Sequence, residues 1–131
     1  YNKNIFLAYV INRWEEKFVP RPCKRRRICA LPGCRRFGVL DGSLKKQPPV
    51  IMTLDEFETI RLIDLEGLSQ QQSAEQMDVA RATVQAIYAE ARKKLAICLM
   101  QGRELRIEGG EYLLCDGSNQ NCRCCHCCKK Q

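Results

Sequence analysis

The chain has 131 residues, 45% of them hydrophobic, with 22 Lys plus Arg against 15 Asp plus Glu, 10 cysteines and one histidine. That length suits one small domain with appended segments, and the apolar content supports a core rather than a disordered chain. A large α/β enzyme core and a site built on several histidines are excluded, and no apolar run approaches the ~18 residues of a membrane-spanning helix.

The net charge of +7 is unevenly placed. Residues 1–18 carry +1, residues 19–52 carry +8, residues 53–100 carry −3 and residues 101–131 carry +1. A basic block beside an acidic one suggests a segment made for a polyanion, of which nucleic acid is the commonest.

Residues 1–18 form a poorly defined N-terminal segment. Its apolar stretch, Ile5 to Ile11, is short, and Asn-Arg-Trp-Glu-Glu follows in place of a small-residue cleavage site, so no signal peptide is read. The expected location is cytoplasmic, where thiols stay mostly reduced and a disulfide framework is disfavoured. Residues 19–52 hold all five prolines, at 20, 22, 32, 48 and 49. Proline fixes φ and removes a donor, so this stretch reads as an extended basic arm with turns.

Residues 53–102 read as helical. Thr53-Leu-Asp-Glu56 is a capping box, and Leu54, Phe57, Ile60, Leu62 and Ile63 recur at helical spacing. Gly67 ends that helix, and Ser69-Gln-Gln-Gln72 caps a second one that runs to Met77. A third helix starts near Ala80 and runs to about Met100, with Gly102 as its stop. Residues 103–117 change period: Glu104-Leu-Arg-Ile-Glu108, then Gly109-Gly110, then Glu111 to Cys115. That pattern predicts a β-hairpin about a two-glycine turn. Residues 118–131 form a Cys-rich tail.

The second and third helices, joined by a short connection, match a helix-turn-helix. Ala74 is small enough for a close crossing, Val79 can plug the junction, and Val84 and Ile87 point toward the first helix. The opposite face of the third helix then carries Arg81, Ala82, Gln85 and Ala86, with Thr83 near its start. These five residues are the expected base-reading set. Arg81 suits guanine, Gln85 suits adenine, and Thr83 can also reach a phosphate. Phosphate or minor-groove contact is assigned to Arg21, Lys24, Arg25, Arg26, Arg27, Arg35 and Arg36 of the arm, with Arg92 and Lys93 on the third helix.

The cysteines fall into groups. Cys98 lies on the apolar stripe of the third helix and reads as core. Cys122, Cys124, Cys125, Cys127 and Cys128 crowd the tail around His126, with three overlapping CxxC pairs. Cys23, Cys29 and Cys34 lie in the arm, and Cys115 ends the expected hairpin. Two thiolates at CxxC spacing reach one tetrahedral ion, so zinc or an iron–sulfur cluster is the cofactor class considered. One arrangement joins arm cysteines to Cys115 or to tail cysteines around one metal. The alternative is a tail that binds nothing.

The helical run resembles the region-four helix-turn-helix of sigma-70-type factors. The matching residues are Leu62, Glu66-Gly-Leu-Ser69, Ala74-Glu75, Met77, Val79, Thr83-Val84 and Ala91-Arg-Lys-Lys-Leu95. Together with RPCKRRRICALPGCRRFGV, TLDEFETIRLIDLEGLSQ and RIEGGEYLLCDG, residues 20–117 resemble a family of uncharacterised prokaryotic proteins described as predicted DNA-binding. The resemblance implies a winged or sigma-like helical domain. Three departures stand out: Ala80 replaces the usual Ser cap, Asp78 the usual Gly, and Gln72-Ser73 the usual Glu-Ile.

The expected fold is therefore mainly α. It is a trihelical, sigma region-four-like helix-turn-helix domain with an extended basic N-terminal arm and a C-terminal β-hairpin. The expected function is sequence-specific binding of double-stranded DNA by a transcriptional regulator that is not an enzyme. The alternatives are a metal- or redox-sensing regulator using the Cys-rich arm and tail, and a sigma-like module that binds RNA polymerase. No membrane partner is expected; a homodimer is the oligomer considered.

Overall fold

A computed structural model describes residues 25–41 and 47–116. Among these residues the fold is mainly α, with three helices and five short strands. In order these are β1 (Arg26–Ile28), β2 (Arg36–Phe37), β3 (Val50–Met52), α1 (Leu54–Ile60), α2 (Gln70–Met77), α3 (Arg81–Gln101), β4 (Leu105–Ile107) and β5 (Tyr112–Leu114). A π-helical turn, Arg61–Leu65, continues α1. No helix among the described residues is long and apolar enough to cross a membrane.

The first helix begins at the expected capping box. Thr53 donates its backbone N–H to Glu56 Oε2 at 3.2 Å. Its acidic first turn, however, is buried rather than solvated. Asp55 and Glu56 are buried, and Glu58 and Thr59 are fully so. A carboxylate removed from water needs a partner. Asp55 faces Arg26 of β1 at 3.8 Å, Glu56 takes Lys94 of α3 on both oxygens at 2.9 and 2.8 Å, and Glu58 pairs with Arg61. Thr59 donates to the Glu56 carbonyl at 2.6 Å. Helix α1 is thus enclosed on its polar side as well as on its apolar one.

Two apolar clusters flank it. Ile28, Val50, Met52, Leu54, Ala91, Leu105 and Ile107 form the larger, with Phe57, Ile60 and Leu95 against it. Leu62, Ala74, Met77 and Val84 form the smaller, with Ile63, Leu68 and Val79. Helix α3 serves both: Val84 lies in the second cluster and Ala91 in the first. An apolar cleft of about 480 Å³, lined in part by Phe57, Ile60, Leu95, Cys98 and Leu99, opens beside the C-terminal half of α3.

The strands correct two sequence expectations. The C-terminal hairpin does not form, because β4 and β5 do not pair with each other. Strand β4 is central, antiparallel to β2 on one edge and parallel to β3 on the other, while β5 pairs in parallel with β1. With both its edges taken, β4 has no edge left for β5. The two glycines make a crossing instead, with φ of 75° at Gly109 and 96° at Gly110. The Gly109 carbonyl accepts from the Leu54 N–H at 3.0 Å, capping an orphan donor of α1.

The second correction concerns residues 19–52. In its described part this segment is not a detached arm: it supplies β1, β2 and β3. Val50 and Met52 are buried while Ile51 between them is exposed, the alternation of a strand with one face on the core. The prolines confine these strands to short runs but do not keep them from pairing.

Two stability measurements follow. A Cβ on Gly110 would lie 2.8 Å from both Asp55 Oδ1 and Thr53 Cβ, whereas one on Gly109 meets nothing within 4 Å. Both glycines have positive φ, so Gly109→Ala is expected to cost about 1 kcal/mol and Gly110→Ala clearly more, read as the drop in thermal unfolding midpoint. Equal losses would contradict this packing. Lys94→Ala leaves the Glu56 carboxylate without its cation and is expected to cost about 2 kcal/mol by urea titration, discounted for the pair's partial exposure.

Candidate nucleic-acid interface

Helix α2 starts on the expected capping box. The Gln72 N–H donates to Ser69 Oγ at 3.1 Å, and the Ser69 N–H donates to Gln72 Oε1 at 3.0 Å. It ends at Asp78, whose φ of 56° and ψ of 48° are left-handed. The chain makes this left-handed turn with an aspartate, a residue that tolerates the region better than most. Val79 follows, packed on the second cluster, with its N–H donating to the Ala74 carbonyl at 3.0 Å. Ala80 is the extended N-cap of α3 and contributes no side-chain cap; its carbonyl accepts from Thr83 and Val84.

Burial decides which face of α3 looks outward. Val84 and Ala91 are fully buried, while Arg81, Ala82, Gln85 and Ala86 are exposed and Thr83 is half-buried. The five residues expected to read bases therefore lie on the first two turns of α3, four of them open. The outer face continues through Ala89 and Lys93, both exposed. Tyr88 anchors the flank by donating its hydroxyl to Asp64 Oδ1 at 2.7 Å, and that hydrogen bond raises the phenol above its ordinary pKa. Arg92 lies over the Tyr88 ring at 5.5 Å, so its guanidinium is held at the surface rather than swinging free.

The basic residues divide into three kinds. Arg26 turns inward: its side chain is 16% exposed and faces Asp55. It is therefore removed from the phosphate set, because a buried carboxylate claims it. Arg25 and Arg35 are exposed, the former 4.0 Å from Glu111, and Arg27 is half-buried. Arg36 is exposed but pairs with Glu104. Arg21 and Lys24 lie outside the described residues.

Strand register adds a residue that the sequence reading missed. Arg36 and Arg106 sit opposite each other in the antiparallel β2–β4 pair, and Arg106 Nε lies 3.3 Å from the same Glu104 carboxylate. Arg35, Arg36 and Arg106 line a cleft of about 370 Å³ with Ile107 and Glu108. Two guanidiniums sharing one carboxylate leave net positive charge at its mouth. No local motif marks Arg106, since its partner is 70 positions away; only cross-strand pairing brings them together.

Strand β1 ties the basic segment to the helices. It packs against α1 and α2, and Gln76 of α2 donates its amide to Cys29 Sγ at 3.0 Å. Among the candidate metal ligands, Cys29 is buried, Cys34 is exposed and Cys115 is half-buried. Cys23, Cys122, Cys124, Cys125, His126, Cys127 and Cys128 lie outside the described residues. Among the described residues, no three His, Cys, Asp or Glu side chains gather as a metal cluster. Cys98 is half-buried against the larger core, and burial raises its thiol pKa.

Comparison with known proteins places this arrangement. The model of a family described as a protein of unknown function, DUF134, matches residues 17–115. The chain belongs to this family. It is 59% identical over 104 residues to UPF0251 protein DSY3441 of Desulfitobacterium hafniense strain Y51, covering 79% of this chain and 83% of that one. A UPF0251 protein of Halothermothrix orenii is 42% identical over 94 residues, covering 72% and 70%. UPF0251 protein Teth39_0655 of Thermoanaerobacter pseudethanolicus is 41% identical over 98 residues, covering 75% and 83%. No solved structure matches the chain. The matched span takes in β1 through β5, so the basic strands and the helices are one family unit.

The Arg36–Glu104–Arg106 cluster has a pH signature. The hydrogen bond from Arg36, then the one from Arg106, holds the Glu104 carboxyl below its ordinary value, and the Arg36 guanidinium is raised in turn. A depressed carboxyl pKa contributes stability that is present above the unfolded value and is lost as pH falls through the folded one. In a carboxyl-detected NMR titration Glu104 is expected to titrate below the usual value of about 4.3. Arg36→Ala should move it up, and no movement would remove the pairing.

Proposed function

We propose that this DUF134 member is a sequence-specific DNA-binding protein that acts as a transcriptional regulator. In this reading α2, the Asp78–Ala80 connection and α3 form a helix-turn-helix, and the N-terminal turns of α3 enter the major groove. The observation that carries it is the split of α3 into a buried side at Val84 and Ala91 and an open side at Arg81, Ala82, Gln85 and Ala86. The alanines keep that face low, so the helix can approach base edges closely. Arg81 and Gln85 supply the long polar groups that pair bidentately with guanine and adenine. Thr83, half-buried at the first turn, suits a phosphate beside the groove.

Phosphate contact is assigned to Arg25, Arg27, Arg35, Arg92 and Lys93, to the Arg36–Arg106 cleft, and to Arg21 and Lys24 in the basic segment. This division supports affinity and base reading on different elements of one body. The acidic residues of α1 do not oppose it, since their charge is matched internally. The measured quantity is fluorescence anisotropy on fragments from around the protein's own gene, at several salt concentrations. Log affinity should fall with log salt at about −0.9 per phosphate engaged. Arg81→Ala should lose about 1–3 kcal/mol on the preferred sequence and little on random DNA. Arg35→Ala should weaken both alike and reduce the salt slope by about 1. Absent or salt-insensitive binding would sink the reading. RNA polymerase captured by the nucleic-acid-free chain would then favour the sigma-like interaction module.

A further inference from the structure

Among the described residues, the larger core is not closed on all sides. Between the β layer and the C-terminal half of α3 it opens into the apolar cleft of about 480 Å³. Met52 of β3 and Leu105 of β4 line it, with Phe57 and Ile60 of α1 and Leu95 and Cys98 of α3. The two strand residues are buried, while the four helix residues are half-buried. Two further lining residues, Gly38 and Gly102, add no side chain to fill it. Protein interiors otherwise hold few voids larger than a water molecule. Apolar clefts of about 300–1,000 Å³ with a few placed polar groups are the usual form of small-molecule sites.

A second observation concerns Arg103. Among the described residues that line the cleft, it alone carries a full charge. Gly102 ends α3 in the left-handed region, with φ of 63°, and Arg103 follows at once. Its Nε donates to the Pro48 carbonyl at 2.9 Å, and its Nη1 donates to Gln101 Oε1 at 3.5 Å. Both acceptors are neutral, so they position the guanidinium without cancelling its charge. Arg26, Arg36 and Arg61, by contrast, each face a carboxylate. The neighbouring Glu104 is taken by Arg36 and Arg106. The Arg103 charge is felt in the cleft: burial raises the Cys98 thiol pKa, and Arg103 opposes that rise. An apolar chamber with one held, uncompensated cation is complementary to a molecule with an apolar body and a single anionic head.

We propose that this cleft binds a small monocarboxylic acid with an apolar body, its carboxylate on Arg103. The planar guanidinium matches a carboxylate in shape and charge. The apolar body takes the place of water against Phe57, Ile60 and Leu95. One cation favours a single negative charge. A phosphate monoester carries about −1.5 to −2 and would leave excess charge against apolar walls. The bound acid packs the C-terminal half of α3 against the β layer, so it should raise the unfolding midpoint. The site stands apart from the DNA reading, whose residues Arg81 to Ala86 occupy the first two turns of α3, at its other end.

The test titrates the full chain with decanoate, and with 1-decanol as its uncharged counterpart, in methyl-detected NMR without DNA. Decanoate should shift the methyl signals of Ile60, Leu95, Leu105 and Ile107. Those of Leu62, Ile63 and Val84 in the second cluster should stay in place. Decanoate should bind about tenfold more tightly than decanol, the scale of a hydrogen bond to a charged group. Arg103→Gln should remove that advantage. Leu99 lines the cleft and is 83% exposed, so substitution there spares the fold. Leu99→Glu should weaken decanoate binding more than Leu99→Gln does, which covers the case where Arg103→Gln does not fold. Unmoved cleft methyls, or equal affinity for decanoate and decanol, would overturn the proposal. So would NOEs in the ligand-free chain that place a second copy, or another segment of this chain, against those methyls. Failure of DNA binding would leave each of these readouts untouched.

Discussion

The acidic turns of α1 impose the constraint on which the rest of the structure depends. Asp55, Glu56 and Glu58 are all buried, and an uncompensated carboxylate in that position would cost several kcal/mol. Each cation comes from a different place: Arg26 from the N-terminal basic segment, Lys94 from the middle of α3, and Arg61 from the turn after α1 itself. Helix α1 can be buried only when β1 and α3 are both in place. Its sheet side and its helix side therefore assemble together, and the described part of the basic segment becomes part of the body.

This changes what the net charge means. A +8 segment beside a −3 helical region reads naturally as a tether beside a reading head. In the folded chain part of that surplus is paired: Arg26 by the buried Asp55, and the exposed Arg36 in part by Glu104. Among the described residues of this segment, Arg25, Arg27 and Arg35 lie in or beside β1 and β2, which fixes their backbone positions. A fixed cation loses less conformational freedom on binding than one on a loose arm, which suits defined contacts better than diffuse attraction.

Helix α3 connects the two halves of the molecule. Its 21 residues span about 31 Å, at about 1.5 Å per residue. Its N-terminal turns pack on Leu62, Ala74 and Met77 and carry the open polar face, while its C-terminal turns pack on the β layer. Each half is held by a different cluster.

Local chemistry made much of this legible. The two capping boxes, the stop at Gly102 and the outward face of α3 all follow from residues within a few positions of one another. Periodicity and capping act at that range, which is why Ser69 with Gln72 and the Arg81-to-Ala86 face stand in the fold as they read in the chain. The strand pairing did not follow: β4 and β5 stand where the chain alternates, but three-residue strands carry almost no pattern that names their partners. Gly109-Gly110 reads as a hairpin turn until β4 is found with both edges occupied. Arg26 looks like its basic neighbours until Asp55 is buried beside it, and Arg106 meets Arg36 only through register. The sequence by itself determined the helices, their caps and the surplus of positive charge. The tertiary structure alone decided which of those charges face outward and which strands pair, because ladder pairing and buried-charge compensation join residues that the chain keeps far apart.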